Sequence, residues 1–258
     1  MIVARSLLIV SVLICYIQPQ SSPQYSGGSP ASRSLTADDI VREMVTHDRV
    51  RLQVLLSFEG RRYYTLDYSG FPGKRHAEMV VNVSYRAPNT KQFAIISQSG
   101  SGWLVDHVLK KLLESEEKGA REHESIDLTP ENYDFSLVGR DTSSTGSAYV
   151  LAVEPKAKNK YRYRGKVWVD GTDFAITRIE AQPAVNPSFW TKKSEFRHTY
   201  TKVGDFWLPL ENYSISSLRL GGRAVLTIKY ADYRITRAQS QSGRPPVSSP
   251  RVSSQTRE

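Results

Sequence analysis

Apolar residues recur at every second position along much of the chain, and this alternation predicts β-strands with one apolar and one solvated face. In the segment Lys160–Ala181, Tyr163 and Val167 share one face, whereas Arg164 and Lys166 share the other. The same reasoning predicts about eleven strands in the chain. They cover Val50–Phe58, Arg61–Tyr68, Arg75–Arg86, Lys91–Gln98, Tyr133–Arg140, Ser147–Glu154, Tyr161–Asp170, Phe174–Ala181, Ser194–Val203, Phe206–Ser217 and Gly222–Arg237.

Two segments show apolar residues at helical spacing instead. The first is Leu35–Arg49, for which Thr36 is a candidate N-cap. The second is Trp103–Lys118, which we expect Gly119 to end. Turn signals separate the strands, because glycine tolerates a positive φ at low cost. They include Glu59-Gly60 and Asp170-Gly171.

The number of strands determines the fold class that we predict. A single sheet of about eleven antiparallel strands curls rather than staying flat. Its apolar face is then too wide for its own side chains to fill, and two amphipathic helices are the natural cover. We therefore predict a mainly β fold (β-rich α+β), an unclosed antiparallel β-barrel of about eleven strands covered by two amphipathic helices. An apolar cavity is expected between the sheet and the helices.

The composition of the ends sets the expected domain boundaries. Residues 1–20 read as a secretory signal peptide, with Arg5 before the apolar run Ser6–Ile17. Residues 21–34, rich in Ser, Pro and Gly, are expected to be a disordered linker, 35–237 the folded domain, and 238–258 a disordered basic tail. Cys15 follows Ile14, where a lipoprotein signal needs a small residue, so we do not expect lipidation.

Charge and side-chain chemistry narrow the classes of function. The net charge of +9 permits anionic partners but is explained by basic tails and solvated strand faces. Cys15 is the only cysteine, so the domain has no disulfide and no cysteine nucleophile or Cys-based zinc site. The sequence contains neither a G-x-S-x-G elbow nor an H-E-x-x-H motif. We therefore expect no enzyme activity, no catalytic residues, no metal and no cofactor.

Two further features have a simple and a functional interpretation. His198 alternates with Phe196 and Tyr200 and could face the cavity, where we expect a neighbour to satisfy its ring. The basic row Arg162, Arg164 and Lys166 could bind single-stranded nucleic acid, but a solvated sheet face explains it, and a secretory signal argues against nucleic acid as a partner.

Three strings together resemble the outer-membrane lipoprotein-sorting proteins of the LolA/LolB-like superfamily, over about residues 36–237. They are GKVWVDGTDFAITRIEA (Gly165–Ala181), YTKVGDFWLP (Tyr200–Pro209) and AVLTIKYADYRI (Ala224–Ile235). The resemblance implies a periplasmic, unclosed β-barrel covered by helices around a lipid-binding cavity. Without a lipoprotein signal, the chain is more similar to a soluble carrier than to a membrane-anchored acceptor.

The resemblance and the alternation together give a set of candidate site residues. We expect the cavity lining to comprise Leu52, Val54, Leu56, Tyr64, Leu66, Met79, Val81, Val83, Leu104 and Val108, with Phe189 and Trp190 at its mouth. The glycines of Ser99–Gly102 are expected to act as a hinge for the second helix.

The resulting functional hypothesis is a monomeric periplasmic carrier or binder of lipid or lipoprotein acyl chains that acts in outer-membrane lipoprotein sorting. Its partners would include inner- or outer-membrane lipoprotein-trafficking proteins. The alternative is an envelope sensor or protein-interaction module on the same fold, without cargo transport. A carrier would copurify with lipid, whereas a module would be empty and would bind a membrane partner.

Overall fold

The structure, a computed structural model, describes residues 35–238 apart from 89, 123–126, 144–145, 159–160, 187, 190 and 220. The predicted signal peptide, the linker and the tail beyond Ala238 lie outside the described residues. Within the described ranges, ten antiparallel strands form one sheet. The strands are β1 Leu55–Ser69, β2 Arg75–Arg86, β3 Thr90–Gly100, β4 Tyr133–Ser143, β5 Gly146–Pro155, β6 Tyr163–Asp170, β7 Ile176–Pro183, β8 Thr191–Val203, β9 Phe206–Leu218 and β10 Arg223–Arg237.

The strand order is β3-β2-β1-β10-β9-β8-β7-β6-β5-β4. Among the described strands, only β1 and β10 are paired although distant in sequence, and this pairing brings the beginning and the end of the domain together in the middle of the sheet. No pairing between β3 and β4 is found among the described residues, so the sheet is unclosed. The predicted fold class is confirmed, with ten strands where about eleven were expected.

Two helices cover the sheet. The first, α1, spans Ala37–Val54 and begins with a capping box in which Thr36 and Asp39 each bind the other's backbone N–H, as the N-cap prediction required. The second consists of α2 (Gly102–Leu104), a π-helical turn (Val105–Leu109) and α3 (Lys110–Glu122), which follow one another directly. These three pieces are called the second helix below. It continues beyond Gly119, so that glycine does not end it as expected.

The predicted strand Val50–Phe58 is wrong over its first half, because α1 continues to Val54 and β1 begins at Leu55. Val50, Leu52 and Val54 alternate in sequence, yet long-range contacts stabilise the helical turn here. The Arg51 guanidinium donates to the carbonyl oxygen of Asp173 at 3.0 Å. Local alternation therefore gave the wrong period where a tertiary contact decided the structure.

The predicted turn at Glu59-Gly60 is also wrong, because β1 runs unbroken through both residues. The β1–β10 register shifts between Glu59 and Arg61, where Gly60 of β1 lies opposite a β-bulge formed by Asp232 and Tyr233 of β10. A Cβ at Gly60 would lie 3.1 Å from the ring of Tyr233. This glycine therefore permits a close approach of β1 and β10 rather than a reversal of the chain.

The hairpin at Asp170-Gly171 is present, but its connection is longer than two residues. β6 ends at Asp170 and β7 begins at Ile176. The positive φ of this connection lies at Phe174 (φ 50) instead of at Gly171. The Asp170 carboxylate closes the turn by accepting from the backbone N–H groups of Thr172 and Asp173.

The long strands give the sheet two distinct ends. At one end β1 begins and β10 finishes, with Leu55 opposite Arg237; this is called the Leu55 end. At the other, Ser69 lies opposite Arg223; this is called the Ser69 end. Each end collects connections that are far apart in sequence, so each can form a separate surface.

Candidate ligand-binding interior

The two helices pack on different halves of the sheet. Buried residues of α1, among them Ile40 and Met44, form a core cluster with residues of β4 to β7. Buried residues of the second helix, among them Leu104 and Leu109, form another with residues of β1, β2 and β10. A third, smaller cluster joins β1, β2 and β9. The interior is therefore covered by two separate helices, and its middle lies between them.

One row of paired residues crosses the inner face of the sheet and shows what this middle contains. Adjacent strands place these residues opposite one another from β2 to β5: Met79, Tyr64, Ile228, Asn212, His198, Ile179, Val167 and Leu151. All eight are buried. The row is mainly apolar under each helix and polar at its centre, where Asn212 donates to the hydroxyl of Tyr230 at 2.6 Å.

His198 is the second polar residue at this centre. It packs against the ring of Phe196, with 4.7 Å between the ring centroids. Its Nε2 has no hydrogen-bond partner in the described part of the chain, so the expectation of a satisfied ring fails at this nitrogen. Burial lowers the pKa of His198 from 6.5 to about 4, so the ring is neutral at pH 7.

Lowering the pH from 7 to 5 is expected to reduce the free energy of unfolding by about 2 kcal/mol through His198. The pKa of His198 is about 4 in the folded chain and 6.5, its ordinary value, in the unfolded chain. Between pH 4 and pH 6.5 the unfolded chain therefore binds the proton more strongly than the folded chain. The stability contributed by the neutral ring is complete above pH 6.5 and is lost as the pH falls towards 4. Chemical unfolding at a series of pH values measures this slope.

A pair of variants separates this effect from the titration of carboxylates. His198→Phe is expected to flatten the slope between pH 7 and 5. His76→Gln is expected not to flatten it, because the hydrogen bond to Asp67 raises the pKa of the half-exposed His76. A raised pKa adds stability as the pH falls, so losing His76 can only steepen the slope. Equal slopes for the wild type and His198→Phe would contradict a buried neutral ring.

A buried group of three charged side chains lies beneath the second helix. Glu116 of α3 faces Arg62 of β1 and Lys91 of β3, and each is at least nine-tenths buried. Arg62 holds the carboxylate with two hydrogen bonds, from Nη1 to Oε2 at 2.8 Å and from Nη2 to Oε1 at 3.0 Å. The Nζ of Lys91 donates to Oε1 at 2.7 Å. This Arg62–Glu116–Lys91 cluster connects the second helix to two strands.

The cluster sets two basic side chains against one carboxylate, and burial lowers the pKa of Lys91 from its ordinary value. Burial alone would raise the pKa of Glu116, but the neighbouring Arg62 and Lys91 outweigh it and lower that pKa to about 2. Two basic groups thus face one carboxylate. The Arg62 guanidinium also lies 4.9 Å from the ring centroid of Tyr230 and 5.2 Å from that of Phe93. The interior therefore has a basic site with aromatic walls.

A partly enclosed cavity of about 110 Å³, called the enclosed cavity below, lies next to this cluster, between α1 and the Leu55 end of the sheet. Its lining includes Arg62 and the apolar side chains Leu52, Leu55, Phe58, Val83, Phe206 and Leu208. An apolar cavity of ~150 Å³ accommodates one benzene, and ligand pockets usually measure ~300–1,000 Å³. The enclosed space is therefore too small for a long acyl chain while both helices stay in place.

An open groove of about 780 Å³ lies at the same end of the sheet. Residues of β1, β2, β3 and β10 form it together with Glu117 of α3. Its lining combines polar residues such as Asn82 and Arg61 with the rings of Phe93 and Tyr233. Gly60, Arg61, Val83 and Tyr233 line both the groove and the enclosed cavity, so the two spaces share a wall.

The predicted cavity residues have three different locations. Six belong to the core cluster under the second helix: Tyr64, Leu66, Met79, Val81, Leu104 and Val108. Leu52 and Val83 line the enclosed cavity. Val54 and Leu56 do not fit the prediction, because they are 39% and 46% exposed. Val54 is the last residue of α1. In β1 the register shifts between Leu55 and Ser57, so Leu55 and Phe58 are buried there and Leu56 is not.

The predicted mouth residue Phe189 is not beside this cavity. Phe189 lies in the connection between β7 and β8, at the Ser69 end, and is 73% exposed. The enclosed cavity lies at the Leu55 end. Trp190 is outside the described residues.

The charged cluster was missed by sequence reasoning, although part of it left a signal. Arg62 has the same strand phase as Tyr64 and Leu66, and Glu116 follows Leu112 by one helical turn. A charged residue on an apolar face calls for a buried partner. Their pairing could not be predicted, because Arg62 and Glu116 are 54 residues apart in the sequence.

No family model matches the sequence, and no curated protein matches it. Similar solved structures include a DUF1329 family protein from Desulfovibrio piger, with 13% identity, a TM-score of 0.41, and coverage of 81% of this chain and 97% of the other. A LolA superfamily protein from Nitrosomonas europaea is 12% identical, with a TM-score of 0.35 and coverage of 80% of this chain and 96% of the other. A Vibrio parahaemolyticus domain assigned to outer membrane lipoprotein sorting is 11% identical, with a TM-score of 0.37 and coverage of 79% of this chain and 93% of the other.

These solved structures share little sequence with this chain and superpose on it only in part. Because the identities do not exceed 13% and the TM-scores are below 0.5, we draw nothing about function from them. Among the described residues, no helix combines the length and the apolar character needed to cross a membrane. The same ranges contain no group of three or more His, Cys, Asp or Glu residues arranged to hold a metal ion.

Proposed function

We propose that this protein is a periplasmic binder of lipid or lipoprotein acyl chains and that it acts in outer-membrane lipoprotein sorting. The observation that carries the proposal is the apolar cavity beside the Arg62–Glu116–Lys91 cluster. Apolar walls favour an acyl chain, since each buried methylene contributes about 0.8 kcal/mol. The two basic side chains favour an anionic or acceptor-rich group at the end of that chain.

Binding requires the two helices to move apart, because the volume of the enclosed cavity is smaller than that of a long acyl chain. The two helices belong to separate core clusters, so one can move relative to the other without both clusters being broken. Residues 1–20 would direct the chain to the periplasm. We propose that the carrier is monomeric and that it exchanges cargo with lipoprotein-trafficking proteins.

Blocking the enclosed cavity is expected to weaken acyl-chain binding. Leu52 of α1 lines this cavity, and Leu52→Trp would occupy part of the space. We expect an acyl probe carrying a visible-light fluorophore to brighten on binding the wild type. The variant should bind it roughly tenfold more weakly, the effect of excluding about two methylenes.

Val50→Trp is the matched control, since Val50 is on the same helix, is 58% exposed and lies outside the cavity lining. It should bind the probe like the wild type. If folded Leu52→Trp and Val50→Trp bind equally well, the cavity is not the binding site. If the wild type gives no signal, acyl-chain binding itself is contradicted.

The second candidate function is an envelope sensor or protein-interaction module without cargo. The small volume of the enclosed cavity favours it, because the interior is mostly filled by its own side chains. Mass spectrometry of an organic extract of the purified protein separates the two. A carrier should release lipid from its interior, whereas a module should yield none and retain a membrane protein in a pull-down.

A further inference from the structure

Large aromatic side chains are exposed on two connections and at the start of α2, all at the Ser69 end. Phe71 lies between β1 and β2 and is 87% exposed, and Phe189 lies between β7 and β8 and is 73% exposed. Trp103, at the start of α2, is 44% exposed. Single exposed apolar residues are common on proteins, but several large rings at one end of a sheet mark an interaction surface.

These connections touch one another and form a continuous surface. The Arg75 guanidinium lies 5.8 Å from the ring centroid of Trp103, which joins the start of β2 to α2. A Cβ at Gly70 would lie only 2.7 Å from the Cα of Gly222, so the connections β1–β2 and β9–β10 are in backbone contact. The β1–β2, β7–β8 and β9–β10 connections, together with the start of α2, are called the aromatic rim below.

Arginine completes the rim on its other side. The Arg219 guanidinium lies 5.2 Å from the ring centroid of Phe189, which joins the β9–β10 connection to the β7–β8 connection. The Tyr68 hydroxyl donates to the carbonyl oxygen of Phe71 at 2.6 Å and holds the β1–β2 connection against the sheet. The exposed rings are thus presented by an ordered surface.

The charge of the rim is strongly one-sided. Lys74, Arg75, Arg219 and Arg223 lie there, and none of the four forms an ion pair in the described part of the chain. An open groove of about 500 Å³ beside β1 is lined by Lys74, Arg75, Arg223 and His76. Its one carboxylate, Asp67, binds Nδ1 of His76 at 2.8 Å.

We propose that the aromatic rim docks on the surface of an anionic phospholipid bilayer. Phe71 and Phe189 would enter the boundary between headgroups and acyl chains, where amphipathic surfaces with exposed rings bind. The four unpaired cations would contact lipid phosphates, and the groove beside β1 would receive a headgroup. Docking uses the end of the sheet opposite the cavity, so it does not depend on the proposed acyl-chain binding.

Co-sedimentation with vesicles tests this proposal on the exported protein as purified after natural processing. The wild type should bind vesicles of phosphatidylglycerol and phosphatidylethanolamine, and should bind neutral phosphatidylcholine vesicles much more weakly. Phe71→Ser with Phe189→Ser should reduce binding to the anionic vesicles roughly a hundredfold, about tenfold for each ring. Lys74→Gln with Arg223→Gln should reduce it more than tenfold and weaken its salt dependence.

Val138→Ser is the matched apolar control, because Val138 is 55% exposed and lies within β4, away from the rim. Lys229→Gln, on an exposed position of β10, is the charge control. Both should bind vesicles like the wild type. Phe71→Ser should also keep the affinity for a soluble acyl probe, which separates failure of docking from failure of the proposed function.

Two results would overturn the proposal. Equal vesicle binding by the wild type and the folded double-phenylalanine variant would show that the rings are not inserted. A variant that keeps vesicle binding but loses a protein partner would assign the rim to protein recognition instead.

Discussion

Replacing Glu116 by alanine is expected to lower the free energy of unfolding by about 3 to 5 kcal/mol, the cost of leaving buried charges without a partner. Arg62 and Lys91 would remain buried with no counter-ion, since both bind the same carboxylate. The second helix would also lose its polar connection to β1 and β3. Equilibrium unfolding in urea at pH 7 measures the loss.

Glu114→Ala is the control for this substitution. Glu114 lies on the same helix, but its side chain is 61% exposed and pairs with the exposed Lys111. Such a surface pair contributes less than about 1 kcal/mol, so the control should remain close to the wild type. A loss below about 1 kcal/mol for Glu116→Ala would show that the cluster is solvated rather than buried.

A triple variant separates the charge from the packing. Arg62→Met, Lys91→Met and Glu116→Leu together remove all three charges and keep apolar volume. Because well-packed apolar residues often replace a buried ion pair without loss, this variant should recover most of the stability lost in Glu116→Ala. It should lose affinity for an acyl probe with a carboxylate end if the cluster binds that end.

Gly100→Ala is expected to destabilise the protein by about 2 to 4 kcal/mol through backbone strain and a steric clash. Gly100 has φ +83°, a conformation that residues with a Cβ rarely adopt. A Cβ there would lie 2.3 Å from the carbonyl oxygen of His76, on the neighbouring strand. That oxygen also accepts from the backbone N–H of Ser101 at 2.7 Å, so it is held in position.

Gly102→Ala, two residues away, provides the comparison. A Cβ at Gly102 would meet no atom within 4 Å, and its φ is not in the left-handed region. The substitution should be neutral or stabilising by up to about 1 kcal/mol, because it reduces the freedom of the unfolded chain. Thermal unfolding of both variants measures the difference, and equal melting temperatures would contradict a special role for Gly100.

The fold could be predicted from local pattern to a large extent. Strands β2 and β4 to β10 follow alternation that each segment carries by itself, and the start of α1 follows from the capping residues Thr36 and Asp39. Such signals depend on neighbouring residues only. The amphipathic second helix was predicted for the same reason.

Features that depend on distant residues could not be predicted in this way. The continuation of α1 to Val54 involves a contact between Arg51 and Asp173. The irregular register at Gly60 depends on Tyr233 of β10. The two partners of Glu116, Arg62 and Lys91, lie on β1 and β3, far from Glu116 in the sequence. The candidate site was therefore predicted as an apolar surface, without the charges that give it its chemical character.

The length of the strands has a consequence for how cargo could arrive. β10 has 15 residues and spans roughly 50 Å, so the Ser69 and Leu55 ends of the sheet are far apart. Headgroup layers are only ~5–8 Å thick. On a molecule that stands on its Ser69 end, the open groove beside the cavity is tens of ångströms above the bilayer. Lipids diffusing laterally could not reach it, so an acyl chain would have to be delivered from the aqueous side.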